Sequence, residues 1–134
     1  MKVNRTIQIV IEPNKALSAT LKAFSSLCST VSPIAWNEGR PLQALALHKV
    51  LYHSVKGYLS SQLTCTAIRL TAAAYVSANS NEHKISKPFR FKKPFALFLI
   101  GTRGRDAAFR KDGTLSIWTV EGRKRLTYTI PDYF

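Results

Sequence analysis

The chain has 134 residues, which suits one domain with a hydrophobic core or one domain with a lobe inserted into it. Apolar residues make up 46%, with the aromatics dispersed among them, and this excludes a disordered chain. Lys and Arg number 20 against 7 Asp and Glu, a net charge of +13 with a pI near 10.2, and an excess of that size favours a polyanionic partner and faster encounter with it.

Residues 3–11 alternate, with Val3, Ile7, Ile9 and Ile11 on one face, Thr6 and Gln8 on the other, and Arg5 at a rim. That period predicts a strand with one buried side, stopped by Glu12-Pro13-Asn14. Asn14 is a suitable N-cap for a helix beginning at the next residue. From Lys15 the period turns helical, and Leu17, Leu21, Phe24, Cys28 and Val31 form one stripe up to Pro33, which is expected to end or kink the helix. A second helix is expected over 41–58, begun by Pro41, with Leu47, Val50, Leu51 and Val55 buried and His48, Tyr52 and Lys56 on a neighbouring polar face. Ser60 or Ser61 caps a third helix to about residue 79, striped by Cys65, Ile68, Ala72, Tyr75 and Val76, with Arg69 on its polar side.

Beyond His83 the helical period is lost. Residues 84–134 hold twelve Lys and Arg against four Asp and Glu, a net of +8, so charge is concentrated where strands are expected. Residues 96–100 read as a buried strand. Asp112-Gly113 is a strong two-residue hairpin signal between strands at 107–111 and 114–120, and Glu121-Gly122 turns the chain into a last strand over 123–130. Five strands suffice for an OB-like barrel. The expected fold is α+β: an OB-like antiparallel β-barrel from residues 1–13 and 84–134, with a three-helix lobe, 14–83, inserted between strand 1 and strand 2.

Chemistry finds little footing. The seven acids are scattered, no serine sits in a nucleophile elbow, and Gly101-Thr102-Arg103-Gly104 lacks the P-loop lysine, so no enzyme is expected. Cys28 and Cys65 form no CxxC and show no ligand spacing with the histidines, which predicts small buried thiols in a reducing compartment and neither metal nor cofactor. No apolar run approaches the roughly 20 residues of a membrane span, and the N-terminus has no apolar signal core, so a cytoplasmic chain without a membrane partner is expected.

Binding has more support. Lys87, Arg90, Lys92 and Lys93 interleave with Phe89 and Phe91, and cations so placed meet phosphates while rings either stack on bases or fill the junction between barrel and helices. Arg123, Lys124 and Arg125 follow a turn, and Arg103, Arg105 and Arg110 lie in or beside loops, where phosphate contact is expected. Trp118 and Tyr128, on adjacent strands, are either core or stacking platform, and Tyr52, Lys56 and Arg69 mark a polar helix face that either binds or is merely solvated.

Several stretches, in order, resemble a known family. These are Phe24 with Cys28 and Ala35-Trp36; Leu47-His48 through Tyr52 and Lys56 to Leu59-Ser60-Ser61-Gln62-Leu63; Ala67-Ile68-Arg69; Phe109-Arg110-Lys111-Asp112-Gly113; and Thr119-Val120-Glu121-Gly122-Arg123. They resemble the N-terminal part of TnpB/OrfB-type transposon proteins, the RNA-guided nucleases related to compact type V CRISPR effectors, with Lys56 where that family has arginine. The resemblance implies an OB-like wedge domain with an inserted recognition lobe. These 134 residues hold neither the three RuvC carboxylates nor the zinc ribbon of that family. The expected function is therefore binding of nucleic acid, RNA favoured over DNA, without cleavage. A protein-interaction or structural module with a basic surface, or a non-functional transposon remnant, is the alternative.

Overall fold

A computed structural model describes residues 6–37, 59–80, 88–101 and 105–131. In chain order these hold β1 (Val10–Ile11), α1 (Lys15–Asn37), α2 (Ser61–Ser80), β2 (Ala107–Phe109), β3 (Thr114–Thr119) and β4 (Gly122–Thr129). The fold is α+β, with two helices among the described residues and an antiparallel four-stranded open sheet in the order β1-β4-β3-β2. The helix expected over 41–58 lies outside the described residues.

Side-chain caps start both helices. Asn14 Oδ1 accepts the Leu17 N–H at 3.0 Å and Ser60 Oγ accepts that of Leu63 at 3.2 Å, each satisfying a donor that has no helical partner. α1 runs through Pro33 to Asn37 rather than ending there. Pro33 removes one helical donor, but its ring faces solvent, and buried Val31 and Ser32 on the opposite side hold the helix in line. The buried stripe includes Ala16, Thr20, Phe24, Cys28 and Val31, so Leu17 and Leu21 are only half-buried. In α2, Leu63, Ala67, Ile68, Ala72 and Tyr75 are buried while Val76 is exposed.

The helices meet where their side chains are small. Cys28 Sγ lies 3.8 Å from the Ala67 carbonyl oxygen, and Ser32 Oγ lies 2.6 Å from the Tyr75 hydroxyl. Contacts that ascend together along both helices mean the two run in the same direction. Phe24, Cys28, Leu59, Leu63 and Ala67 form the first core, against which Phe91, Phe95, Phe98 and Trp118 pack. A second core of Ala107, Leu115, Ile117 and Leu126 belongs to the sheet and is closed by Ile11, Leu17, Phe98 and Tyr128. Thr20 links helix to sheet: its Oγ1 accepts the Val120 N–H at 3.0 Å and donates to the Ala16 carbonyl at 2.7 Å.

Four expectations about strands and turns need correction. Of the first strand, Val3 and Arg5 lie outside the described residues; among the described ones it pairs only at Val10 and Ile11, and Ile7 is 57% exposed. Its ladder fails toward the N-terminus because the next hydrogen-bonding position on the far strand is Pro131, which has no N–H to give. At the other end the Glu12 side chain continues the pairing, Oε1 accepting the Thr127 N–H at 2.8 Å.

Residues 96–100 are not a buried strand. They touch the edge of β2 at a single parallel bridge, Ile100 to Ala107, and Leu97, Leu99 and Ile100 are exposed. The buried Asp106 carboxylate takes the Leu99 N–H at 2.9 Å where a ladder partner would stand.

The first hairpin has a three-residue loop rather than two. Arg110 N–H donates to the Thr114 carbonyl at 2.8 Å and Gly113 N–H to the Arg110 carbonyl at 3.2 Å, so Lys111, Asp112 and Gly113 form the loop, with Gly113 at φ 85°. This is the type I turn followed by a left-handed glycine. The second turn is formed by Val120 and Glu121, with Gly122 at φ 103° opening β4 opposite Thr119.

Candidate nucleic-acid interface

The register decides which cations stand together. Ala108 pairs with Ser116 and Ser116 with Arg125; Trp118 pairs with Arg123; and Arg110 is hydrogen-bonded to Thr114 at the hairpin end. Cross-strand partners share a face, so Arg110, Arg123 and Arg125 lie on one side of the sheet with Ala108, Ser116 and Trp118. Lys124 pairs with Ile117 and belongs to the opposite, core-bearing side, half-buried. The basic triplet after the turn is thus divided between two faces.

On the basic face, Arg110, Lys111 and Arg125 surround a hollow of about 520 Å³, backed by Ala108 and Gly101 and bordered by Phe109 and Asp112. Its floor is alanine, and Gly101 at its wall packs closely against Arg105. A Cβ on Gly101 would collide with the Arg105 side chain. Asp112 occupies the rim. Its Oδ1 accepts from both Thr114 N at 3.0 Å and Thr114 Oγ1 at 2.6 Å, and these bonds hold its carboxyl below the usual carboxylate range. Its Oδ2 stands 3.9 Å from Arg125 Nη1, a loose and exposed ion pair.

Arg123 is held more firmly. Its Nη1 donates to Ser116 Oγ at 3.0 Å and its Nη2 to the Arg105 carbonyl, so the guanidinium is exposed yet fixed in orientation. Ser116, 3% exposed, is satisfied by that contact.

The remaining expected residues are dispersed. Arg90, Lys92 and Lys93 are exposed on the extended segment, whereas Phe89 and Phe91 turn toward the helices. Phe89 lies 4.4 Å from the Tyr75 ring, and its N–H donates to the Tyr75 hydroxyl at 2.9 Å. Phe91 N–H donates to Ser29 Oγ at 3.2 Å, and its ring meets Phe95 at 5.8 Å. Trp118 and Tyr128 are half-buried on opposite faces: Trp118 packs toward the helical core, and Tyr128 makes an edge contact with Phe109 at 5.3 Å. Arg69 is exposed on α2. Lys87, Arg103, Tyr52 and Lys56 lie outside the described residues.

Lys111, Asp112 and Gly101 were missed as site residues by sequence reasoning. A three-residue loop, had it been recognised, would have pointed to Lys111 and Asp112; nothing in the sequence marks Gly101 as a wall. Among the described residues no group of His, Cys, Asp and Glu is placed to hold a metal ion, and no helix is long and apolar enough to cross a membrane. No known protein family, curated protein or solved structure matches the chain.

Proposed function

We propose that this chain is a nucleic-acid-binding protein that holds structured RNA, or an RNA–DNA duplex, chiefly through phosphates and shape, and does not cleave it. The observation that carries this reading is the gathering of Arg110, Arg123 and Arg125, from β4 and the β2–β3 hairpin, on one sheet face, with Arg110 and Arg125 lining an open hollow. Exposed guanidinium groups suit bidentate contact with phosphate oxygens. Arg90, Lys92 and Lys93 add a second exposed run of charge. RNA is favoured because shape and backbone contacts, rather than base edges, are how an A-form helix is read.

The same proposal includes a TnpB-like wedge and lobe working in the cytoplasm, and a barrel completed by residues 96–101 along the β2 edge and by the N-terminal strand at the other. A third helix over 41–58 completes the proposed lobe. Leu97, Leu99 and Ile100, all three exposed, favour a second reading as a protein-interaction module.

The test is binding of a labelled hairpin RNA and a duplex DNA across a salt series. Log K is expected to fall with log salt by about 0.7 to 0.9 per phosphate contacted. Affinity independent of salt, or binding lost on Leu97→Glu but kept on Arg125→Glu, would favour the protein-interaction reading instead.

A further inference from the structure

We infer that the hollow between the β2–β3 hairpin and β4 receives the terminal phosphate of a nucleic-acid strand, with Asp112 as a built-in competitor that this phosphate displaces from Arg125. The inference rests on the nucleic-acid reading and narrows it to one chemical group.

Charge selects the group. Arg110, Lys111 and Arg125 against Asp112 leave the hollow with a net charge of +2. An internal phosphodiester carries a single negative charge, whereas a phosphate monoester carries about −1.5 to −2 near neutral pH. The hollow therefore matches a strand end better than a strand passing through. Its 520 Å³ falls within the range of small-ligand sites, and Ala108 and Gly101 are the smallest of the residues that line it. Two guanidinium groups arriving from different strands can grip a phosphate from two directions.

The state of Asp112 supports the competitor role. Oδ1 is committed to the turn through Thr114, so only Oδ2 is free to neutralise Arg125, and it does so at 3.9 Å, beyond hydrogen-bonding distance. Such an exposed pair is weak, and a dianion offers Arg125 a stronger partner. In the substitution Asp112→Asn, the new Oδ1 can accept the same two Thr114 bonds while the charge is removed. This change separates the competitor role from the turn.

The test uses the full chain and one short RNA in three forms: 5′-phosphorylated, 3′-phosphorylated and hydroxyl at both ends, with a nucleoside monophosphate as a fourth probe. One phosphorylated form is expected to bind about tenfold tighter than the hydroxyl form, the scale of one charge-assisted contact. D112N should widen that preference. Arg125→Ala, or Arg110→Ala if the first folds poorly, should weaken all three RNAs but the phosphorylated one most, so that the preference for it disappears. Equal binding of all three RNAs overturns this inference and leaves the proposed function standing, whereas no binding of any RNA overturns both. A monophosphate that binds as tightly as the phosphorylated RNA overturns the strand end as the source.

Discussion

Two stretches of this chain interleave cations with apolar residues, and the fold uses them differently. In residues 88–95 the division is radial: Phe89, Phe91 and Phe95 turn toward the helices, while Arg90, Lys92 and Lys93 stay in solvent. In β4 the division is by face: Arg123 and Arg125 share one side of the sheet and Lys124 the other. The first stretch is held through its backbone, by Tyr75 and Ser29, so its cations are unconstrained ends on a fixed track. The second is held through its side chains, since Arg123 grips Ser116 and Arg105, and Arg125 faces Asp112. Similar composition thus gives a structural seam in one place and two guanidinium groups on one sheet face, Arg123 held and Arg125 loosely paired, in the other.

The contrast can be broken most severely at the seam. Phe24 is fully buried and meets Phe95 edge-on at 5.5 Å, so Phe24→Ala should lose about 3–5 kcal/mol in chemical denaturation. Tyr75→Phe keeps the ring but removes the hydroxyl that serves Ser32 and the Phe89 N–H, and should cost about 1–3 kcal/mol by the same measurement. Near-neutral results for both would mean that the helices do not anchor residues 88–95.

The remaining effects should be smaller. Burial pushes the Cys28 thiol up, and a buried thiol is a poor nucleophile, so Cys65, half-exposed, should be alkylated well before Cys28 in the folded protein. The least effect belongs to Asp112. A carboxyl whose folded value is lowered supports the fold above its unfolded value and loses that support as pH falls through the folded one. The difference in Tm between the native chain and Asp112→Ala should therefore narrow on acidification below about pH 4.

Much of the frame was legible in the sequence because local chemistry specifies it. Asn14 and Ser60 cap as their residue types predict, and Phe24, Cys28, Val31, Ile68, Ala72 and Tyr75 follow helical spacing into the core. The candidate site was not legible in the same way, and the reason is register. A two-residue Asp112-Gly113 turn would set Arg110 opposite Leu115, on the core side of the sheet. The observed three-residue loop shifts the pairing by one and places Arg110 on Arg125's side. Moving the second turn from Glu121-Gly122 to Val120-Glu121 shifts pairing by two and leaves the faces unchanged. One added loop residue therefore decides whether the hollow exists, and residue types alone do not count it. The extended run 96–100 misled for another reason: its apolar content suggests burial, but only Ala96 and Phe98 turn inward.

The most direct test compares salt slopes of RNA binding for the native chain and for Arg110→Ala combined with Arg125→Ala. If the sheet face meets phosphates, the double variant should reduce the slope of log K against log salt by about 1 to 2, since each lost contact releases fewer counterions. An unchanged slope in a variant that still folds would contradict the assignment of this face.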